Sequence, residues 1–339
     1  MNIKKILFSL VTLLIIGGGT GGVVVYADDN QPQAEFTVDG KANEFQTDKD
    51  TTYDLKMQPG DETTLNLTVQ NLSDEKATYR IAINPAQTSD NVIIEYGKSG
   101  NADGFGAKPN IQIRQITEIS DTKLTVPSHQ NKAFSIKIKM PQKKYDGIVA
   151  GGIRVEKITE SSKEGITNKF AFVKGLVIHQ NDNKVKPKLT INSIKASQYQ
   201  YGPGVIVKMR NPTNSNITEL KMDTKVVNDK TGKTLIKKKV DQGSVAPNSQ
   251  FNYVLRHDGK IPAGKYHFKG SAKDKYGNQW QWNKAFEVKE AVKKETNFKV
   301  NATSPWLIIL LGVIILLLII ALIWLFILLR RKKEQENAE

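Results

Sequence analysis

Apolar and polar residues alternate strictly through the middle of the chain. Thr64-Leu65-Asn66-Leu67-Thr68-Val69-Gln70, Tyr79-Arg80-Ile81-Ala82-Ile83-Asn84 and Phe134-Ser135-Ile136-Lys137-Ile138-Lys139-Met140 each place one apolar residue at every second position. A period of two marks a strand with one face buried and one face wet. Turn chemistry punctuates these runs at Pro59-Gly60-Asp61, Asn71 to Asp74, Asn84-Pro85, Val126-Pro127-Ser128 and Asp146-Gly147. The second half has the same texture, with Val205 to Arg210, Leu220 to Val227, Thr234 to Val240, Phe251 to Leu255 and Lys265 to Ala272 separated by turns. Asn228 to Lys233 reads as the loop of a hairpin. No segment between residues 28 and 304 sustains a helical period. Short strands at this spacing predict an all-β protein built of two tandem Ig-like β-sandwich domains.

Two apolar stretches break the alternation. Residues 306–329 form a run of 24 without a charge, followed by Arg330, Arg331, Lys332 and Lys333. At about 1.5 Å per residue such a helix is roughly 36 Å long, enough to cross a hydrocarbon core of about 30 Å. The pattern predicts a transmembrane helix over 305–329, with the four basic residues holding its end on the cytoplasmic side. At the other end, Lys4 and Lys5 precede an apolar segment and a glycine patch that leads to Val25-Tyr26-Ala27. This is the layout of a signal peptide over 1–27, cleaved after Ala27. The expected organisation is therefore a first sandwich over 28–165, a second over 166–290, a stalk over 291–304, the membrane helix and a cytoplasmic tail over 330–339. The boundary between the sandwiches falls in the interval 161–187. Localisation follows as a single-pass cell-membrane protein with an extracellular ectodomain and a cytoplasmic C-terminus.

The 339 residues include no cysteine. Disulfides, thiolate catalysis and Cys-ligated zinc are thereby excluded, and each domain must hold together by its core alone. The net charge of +15 is unevenly placed. Residues 28–165 carry 17 Lys+Arg against 21 Asp+Glu, a balance of −4, whereas 166–304 carry 26 against 10, a balance of +16. A field of that sign attracts anionic polymers or headgroups and weakens with salt. It also suits a merely soluble lysine surface. Nucleic acid is not an expected partner, because the chain carries export signals.

Catalytic constellations are missing from the pattern. His129, His179, His257 and His267 show no metal-ligand spacing, and neither a GxSxG elbow nor a GxGxxG loop occurs. The sequence implies no cofactor, no metal site and no catalytic residues. Two features invite a binding role. Asp146, Gly147, Gly151 and Gly152 flank a short apolar strand, where glycine admits another backbone or a ligand at close range. The same residues suit a bulge or a sandwich corner. Trp280 and Trp282 share one side of a strand with Tyr276 nearby. Such a set stacks on sugar rings, anchors a partner protein, or fills a core.

The order of several stretches resembles the WxL-interacting proteins of Gram-positive bacteria. They are Tyr53-Asp54-Leu55-Lys56-Met57-Gln58-Pro59-Gly60, Lys144-Tyr145-Asp146-Gly147-Ile148-Val149-Ala150-Gly151-Gly152-Ile153, Ala246-Pro247-Asn248-Ser249-Gln250-Phe251 and Pro262-Ala263-Gly264-Lys265-Tyr266, closed by the apolar C-terminal run. The resemblance implies a peptidoglycan-binding first domain and a host-binding second domain. The implied function is a non-enzymatic, membrane-anchored surface scaffold or adhesin. Its implied partners are WxL-domain proteins, peptidoglycan and host extracellular matrix, and the lysine-rich second domain adds an expected attraction to teichoic acids or host polyanions. A structural stalk and a glycan-modifying enzyme are the alternatives. The chain has no Trp-x-Leu triplet, so it resembles the partner of WxL proteins and not a WxL protein itself.

Overall fold

The computed structural model describes residues 35–47, 52–98, 111–159, 169–200, 202–293, 317–320 and 322–324. The alternating segments become strands paired into two successive sandwiches. In the first, β1 (Phe36–Gly40), β3 (Glu62–Asn71), β9 (Asn131–Lys139) and β7 (Thr117–Ile119) form one sheet in the order β1-β3-β9-β7. The facing sheet orders β2 (Tyr53–Lys56), β11 (Ala171–His179), β10 (Ile148–Lys157), β4 (Ala77–Pro85) and β8 (Lys123–Val126) as β2-β11-β10-β4-β8. In the second sandwich, β12 (Thr190–Tyr199), β13 (Gly202–Asn211) and β16 (Ser249–Arg256) form a three-stranded sheet. It faces β15 (Thr234–Val245), β14 (Ile217–Asn228), β17 (Gly264–Lys273) and β18 (Gln279–Val288), ordered β15-β14-β17-β18.

The two sandwiches repeat one topology. Strands β1, β3, β4, β8, β9, β10 and β11 correspond in order and pairing to β12 through β18. This is an immunoglobulin-like Greek key, with the fourth strand of each set paired to the third on the larger sheet. The first sandwich adds β7 at one edge and β2 at another, the latter parallel to β11. Each sandwich encloses its own core. Leu65, Leu67 and Val69 of β3 face Ile81, Val155 and Leu176 in the first, while Val205, Val207, Met222, Tyr253 and Phe268 fill the second.

A buried asparagine ends the equivalent strands β3 and β13. The Asn71 amide donates to the carbonyls of Glu75, Val126 and Pro127 at 2.8, 3.2 and 3.0 Å, and its Oδ1 accepts from Ser73 and Tyr79. The Asn211 amide donates to Ser215 and Ala246 at 2.6 and 3.1 Å, and its Oδ1 accepts from Thr213. Both side chains are fully buried. They satisfy the carbonyls that the chain exposes where it crosses between sheets, which otherwise lack partners.

The last strand of the first sandwich, β11, lies beyond residue 165. It pairs with β10 from Ile148↔His179 to Glu156↔Ala171, so the expected division at 165 separates a strand from the sheet it belongs to. The expected membrane span is corrected as well. Among the described residues no helix is long and apolar enough to cross a membrane, and within the expected span 317–320 and 322–324 are described as helical. The placement in a cell membrane with a cytoplasmic C-terminus has no support from this structure. The signal segment 1–27, the rest of 305–329 and Arg330, Arg331, Lys332 and Lys333 lie outside the described residues.

The corners give a direct test of the repeat. Asn211→Ala is expected to destabilise the fold by about 2–3 kcal/mol, because it orphans two carbonyls and a hydroxyl. Chemical denaturation measures this, and Asn71→Ala should show a loss of the same size.

Candidate interdomain binding site

The two sandwiches meet along a joint built from three loops. A small hairpin, β5 (Gln87–Thr88) and β6 (Ile94–Glu95), leaves the first sandwich and reaches the second. Val92 at its tip is fully buried within the second core. Its carbonyl accepts from Ser244 N at 2.7 Å, and Ile94 N donates to Ser244 Oγ at 3.0 Å. Behind it, the Thr88 and Ser249 hydroxyls lie 2.6 Å apart, and Thr88 Oγ1 accepts from Ala246 N at 3.0 Å. Val92 adopts φ +61°, a region that β-branched residues rarely enter. Holding it there costs about 1–3 kcal/mol, which burial of its side chain offsets.

The second contact uses Gly147. Its φ of +83° turns the chain tightly, and Ile148 N then donates to the Asn214 carbonyl of the second sandwich at 2.7 Å. A Cβ on Gly147 would sit 2.1 Å from that carbonyl oxygen. Asn214 also donates to the Asp146 carbonyl at 3.3 Å and accepts from Asn248 at 2.6 Å.

The third element is the segment 180–187. Asp146 Oδ1 accepts from the amides of Asn181 and Asn183, both at 3.0 Å. Lys56 meets Asp182 at 2.5 Å, and this bond holds the Asp182 carboxyl below its ordinary value of 3.8. Tyr145, buried beside the segment, donates to the Ile178 carbonyl at 3.2 Å, and burial pushes its phenol pKa up. Gln180 Oε1 accepts from Tyr145 N at 2.9 Å.

These loops enclose a cleft of about 850 Å³ between the sandwiches. One wall carries Asp54, Gly147, Val177 and His179. The other carries Asn214, Asn216, Tyr276 and Asn278, and the segment 181–187 crosses between them. His179 ties its own wall to the crossing segment, with Nε2 at 3.4 Å from Asp54 and Nδ1 at 3.1 Å from the Asn181 carbonyl. Tyr276 is 67% exposed and stands at the rim, with Lys184 over its ring at 5.7 Å. The buried carboxylate of Asp274 fixes that loop by accepting from the backbone of Tyr276 and Asn278 at 3.0 and 2.8 Å. The cleft thus offers several amide groups, one carboxylate–imidazole pair and an aromatic face. Such a lining hydrogen-bonds hydroxyl and amide groups and stacks on flat apolar faces.

The sequence-based candidates divide. Asp146, Gly147 and Tyr276 come together at this cleft. Gly151 and Gly152 sit inside β10, where a Cβ would meet Ile113 and the Asn84 carbonyl, or Tyr96, at 2.5–3.0 Å. Their smallness admits the protein's own chain. Trp280 and Trp282 lie on edge strand β18, half-buried against the second core, with the Trp282 ring 6.4 Å from Phe268. His179, Asn181, Asn183 and Asn214 escaped the sequence reading. The density of Asn and Asp over 181–183 is the available signal, and it lies inside the interval 161–187 that reads as a domain boundary.

A family model described as the WxL Interacting Protein peptidoglycan binding domain matches residues 36–157, and the host binding domain model of the same family matches 161–298. The chain belongs to the WxL-interacting protein family. Within this family member, β11 falls in the residues matched by the second model while it pairs with the first sandwich. No curated protein matches the chain. Among solved structures it is similar to a chaperone–tip adhesin complex of CFA/I fimbriae, at 12% identity and TM-score 0.32, covering 73% of this chain and 98% of that one. It is also similar to the Pseudomonas aeruginosa CupB2 chaperone, at 14% identity and TM-score 0.25, covering 66% and 92%. The PapD-like domain 7 of human CEP192 matches at 13% identity and TM-score 0.30, covering 49% and 99%.

Gly147→Ala is expected to cost about 2–4 kcal/mol, because the added carbon must push Asn214 away or flatten a left-handed turn. Thermal denaturation checks it. A pH effect follows from Asp182. Its folded pKa is depressed, so the clasp with Lys56 contributes above the ordinary value of 3.8 and is lost as pH falls through the lowered value. Amide exchange over 180–187, corrected for its intrinsic rate, should stay flat at higher pH and rise below 3.8.

Proposed function

We propose that this protein is a non-enzymatic surface-binding protein in which the interdomain cleft receives wall glycan. The first sandwich contributes peptidoglycan binding, and the second supports attachment to a host ligand or a WxL-domain protein. The observation that carries this reading is the cleft itself. It sets an exposed aromatic ring, Tyr276, beside the amides of Asn181, Asn214 and Asn278 at the meeting of two modules of a binding family.

The electrostatics favour binding over turnover. Hydrolysis of a glycosidic bond uses a pair of carboxyl groups, one kept protonated by a raised pKa. Asp182 is pulled the opposite way by Lys56, and Asp54 faces His179 at 3.4 Å. Asp90, whose carboxyl burial does raise, belongs to the β5–β6 hairpin and does not line the cleft. Both modules then act as ligand holders, and the rigid joint fixes the distance between whatever each holds.

Sedimentation of the full chain with purified peptidoglycan tests the reading. Wild-type protein is expected to co-sediment saturably, and Tyr276→Ala to weaken binding about tenfold without lowering the melting temperature, since the ring is exposed. Wild-type protein left in the supernatant would remove the proposal.

A further inference from the structure

The outer face of the β15-β14-β17-β18 sheet is a lysine array set by strand register. Lys237 pairs opposite Lys225, and Lys225 lies opposite Lys269, so three cations stand in one row across three strands. Four positions back along β14, Lys221 lies directly opposite Lys273. The row between them holds Lys239, Asp223, Ser271 and Gln281. Neighbouring strands lie about 4.8 Å apart, which brings these ammonium groups within easy mutual repulsion.

The array is nearly uncompensated. Lys239 meets Asp223 at 3.5 Å. Among the described residues Lys221, Lys225, Lys237, Lys269 and Lys273 have no carboxylate within ion-pair distance. On the first sandwich the arrangement is opposite, because Lys137 and Lys139 both reach Glu62, at 3.2 and 2.6 Å. The face is also concave. At one end of it a groove of about 450 Å³ is lined by Lys221, Lys239, Lys273, Ser271 and Gln281, with Asp223, Asp241 and Trp280 also at its walls.

We propose that this face docks a linear polyphosphodiester, a teichoic-acid-type polyol phosphate of the cell wall. Like charges directly opposite one another weaken a sheet, and a closely spaced polyanion removes that repulsion on binding. Every cation in the array is a lysine. Lysine meets phosphate as a point charge from any direction, whereas planar bidentate recognition selects arginine. No aromatic side chain stands in the three rows, and Trp280 at the groove is half-buried against the core, so the rows themselves carry no platform for stacking sugar rings or bases. Ser271, Gln281 and Asn283 supply neutral hydrogen-bonding groups for polyol hydroxyls beside the cations. The choice of a wall polymer over a host polyanion rests on the cell-wall reading above.

The test compares the full chain with Lys225→Thr/Lys269→Thr against three probes: purified poly(glycerol phosphate), heparin, and peptidoglycan stripped of anionic polymer. Each lysine beside a dense anionic array contributes on the order of fivefold in affinity. The double variant should therefore bind the polyol phosphate about twentyfold more weakly, and wild-type affinity should fall steeply with salt. Its melting temperature should hold or rise by a few degrees, because the cross-strand repulsion is gone. Equal polymer binding by variant and wild type overturns the proposal, as does tighter binding of heparin through the same lysines. Stripped peptidoglycan reports on the cleft alone. Retention of the stripped wall without polymer binding defeats this inference and leaves the glycan reading standing, and the reverse result defeats only the glycan reading.

Discussion

The insertion of the β5–β6 hairpin into the second sandwich is the constraint on which the arrangement depends. Val92 belongs by chain order to the first domain and by packing to the core of the second. Its backbone is held at φ +61° by hydrogen bonds on both sides, from Ser244 N to its carbonyl and from its own N–H to the Ser89 carbonyl. Two β-sandwiches on a bare linker reorient freely, since interfaces between domains are commonly small and polar. Here a side chain of one module completes the core of the other. Separating the modules would expose Val92 and open a cavity beside Gly243, so the domain angle is set by core packing.

The cleft follows from that joint. Gly147 lets Ile148 N reach the Asn214 carbonyl, and the gap left beside this contact is roofed by 181–187. Asp146 serves the roof and not an incoming charge, because both amides at its Oδ1 come from Asn181 and Asn183. What stays free at the rim is Tyr276, with Lys184 above it. The chemistry on offer is hydrogen bonding and one aromatic face, with Asp182, Lys184 and Lys186 on the crossing segment, a lining that in the proposed reading takes a polyhydroxylated ligand. The unpaired lysine rows lie elsewhere, on the β15-β14-β17-β18 sheet of the second sandwich, so in the proposed reading the two surfaces take different parts of a composite wall.

The binding groups were only half visible beforehand, and each miss has a physical cause. The Gly151-Gly152 pair and the Trp280/Trp282 pair carry signals that a ligand site and a crowded core share. Small residues permit close approach by any chain, and here Ile113 and Tyr96 make that approach. Two tryptophans two apart occupy one face of a strand, and that face turns toward Phe268. His179 gave no signal, since its partner Asp54 is distant in sequence and adjacent only because β2 runs parallel to β11. The repeated corners were legible in principle. Asn71-Leu72-Ser73 and Asn211-Pro212-Thr213 stand at the same place in two matching strand series, each before a turn.

Local chemistry determined a good deal unaided. Alternation along single strands is a property of the strand's own period, so the all-β class and most strand positions could be read from Leu65-Asn66-Leu67 and its counterparts. The lysine surplus of the second half was equally plain, being a count. Pairing and register decided the rest. They assign β11 to the first sandwich across a polar segment that reads as a boundary. They align Lys237, Lys225 and Lys269 in one row, although the three lie far apart along the chain. They also carry Val92 into a neighbouring core. None of these is a local preference, because each depends on which distant backbone supplies the hydrogen bonds, and that is settled only when both sheets close over their cores.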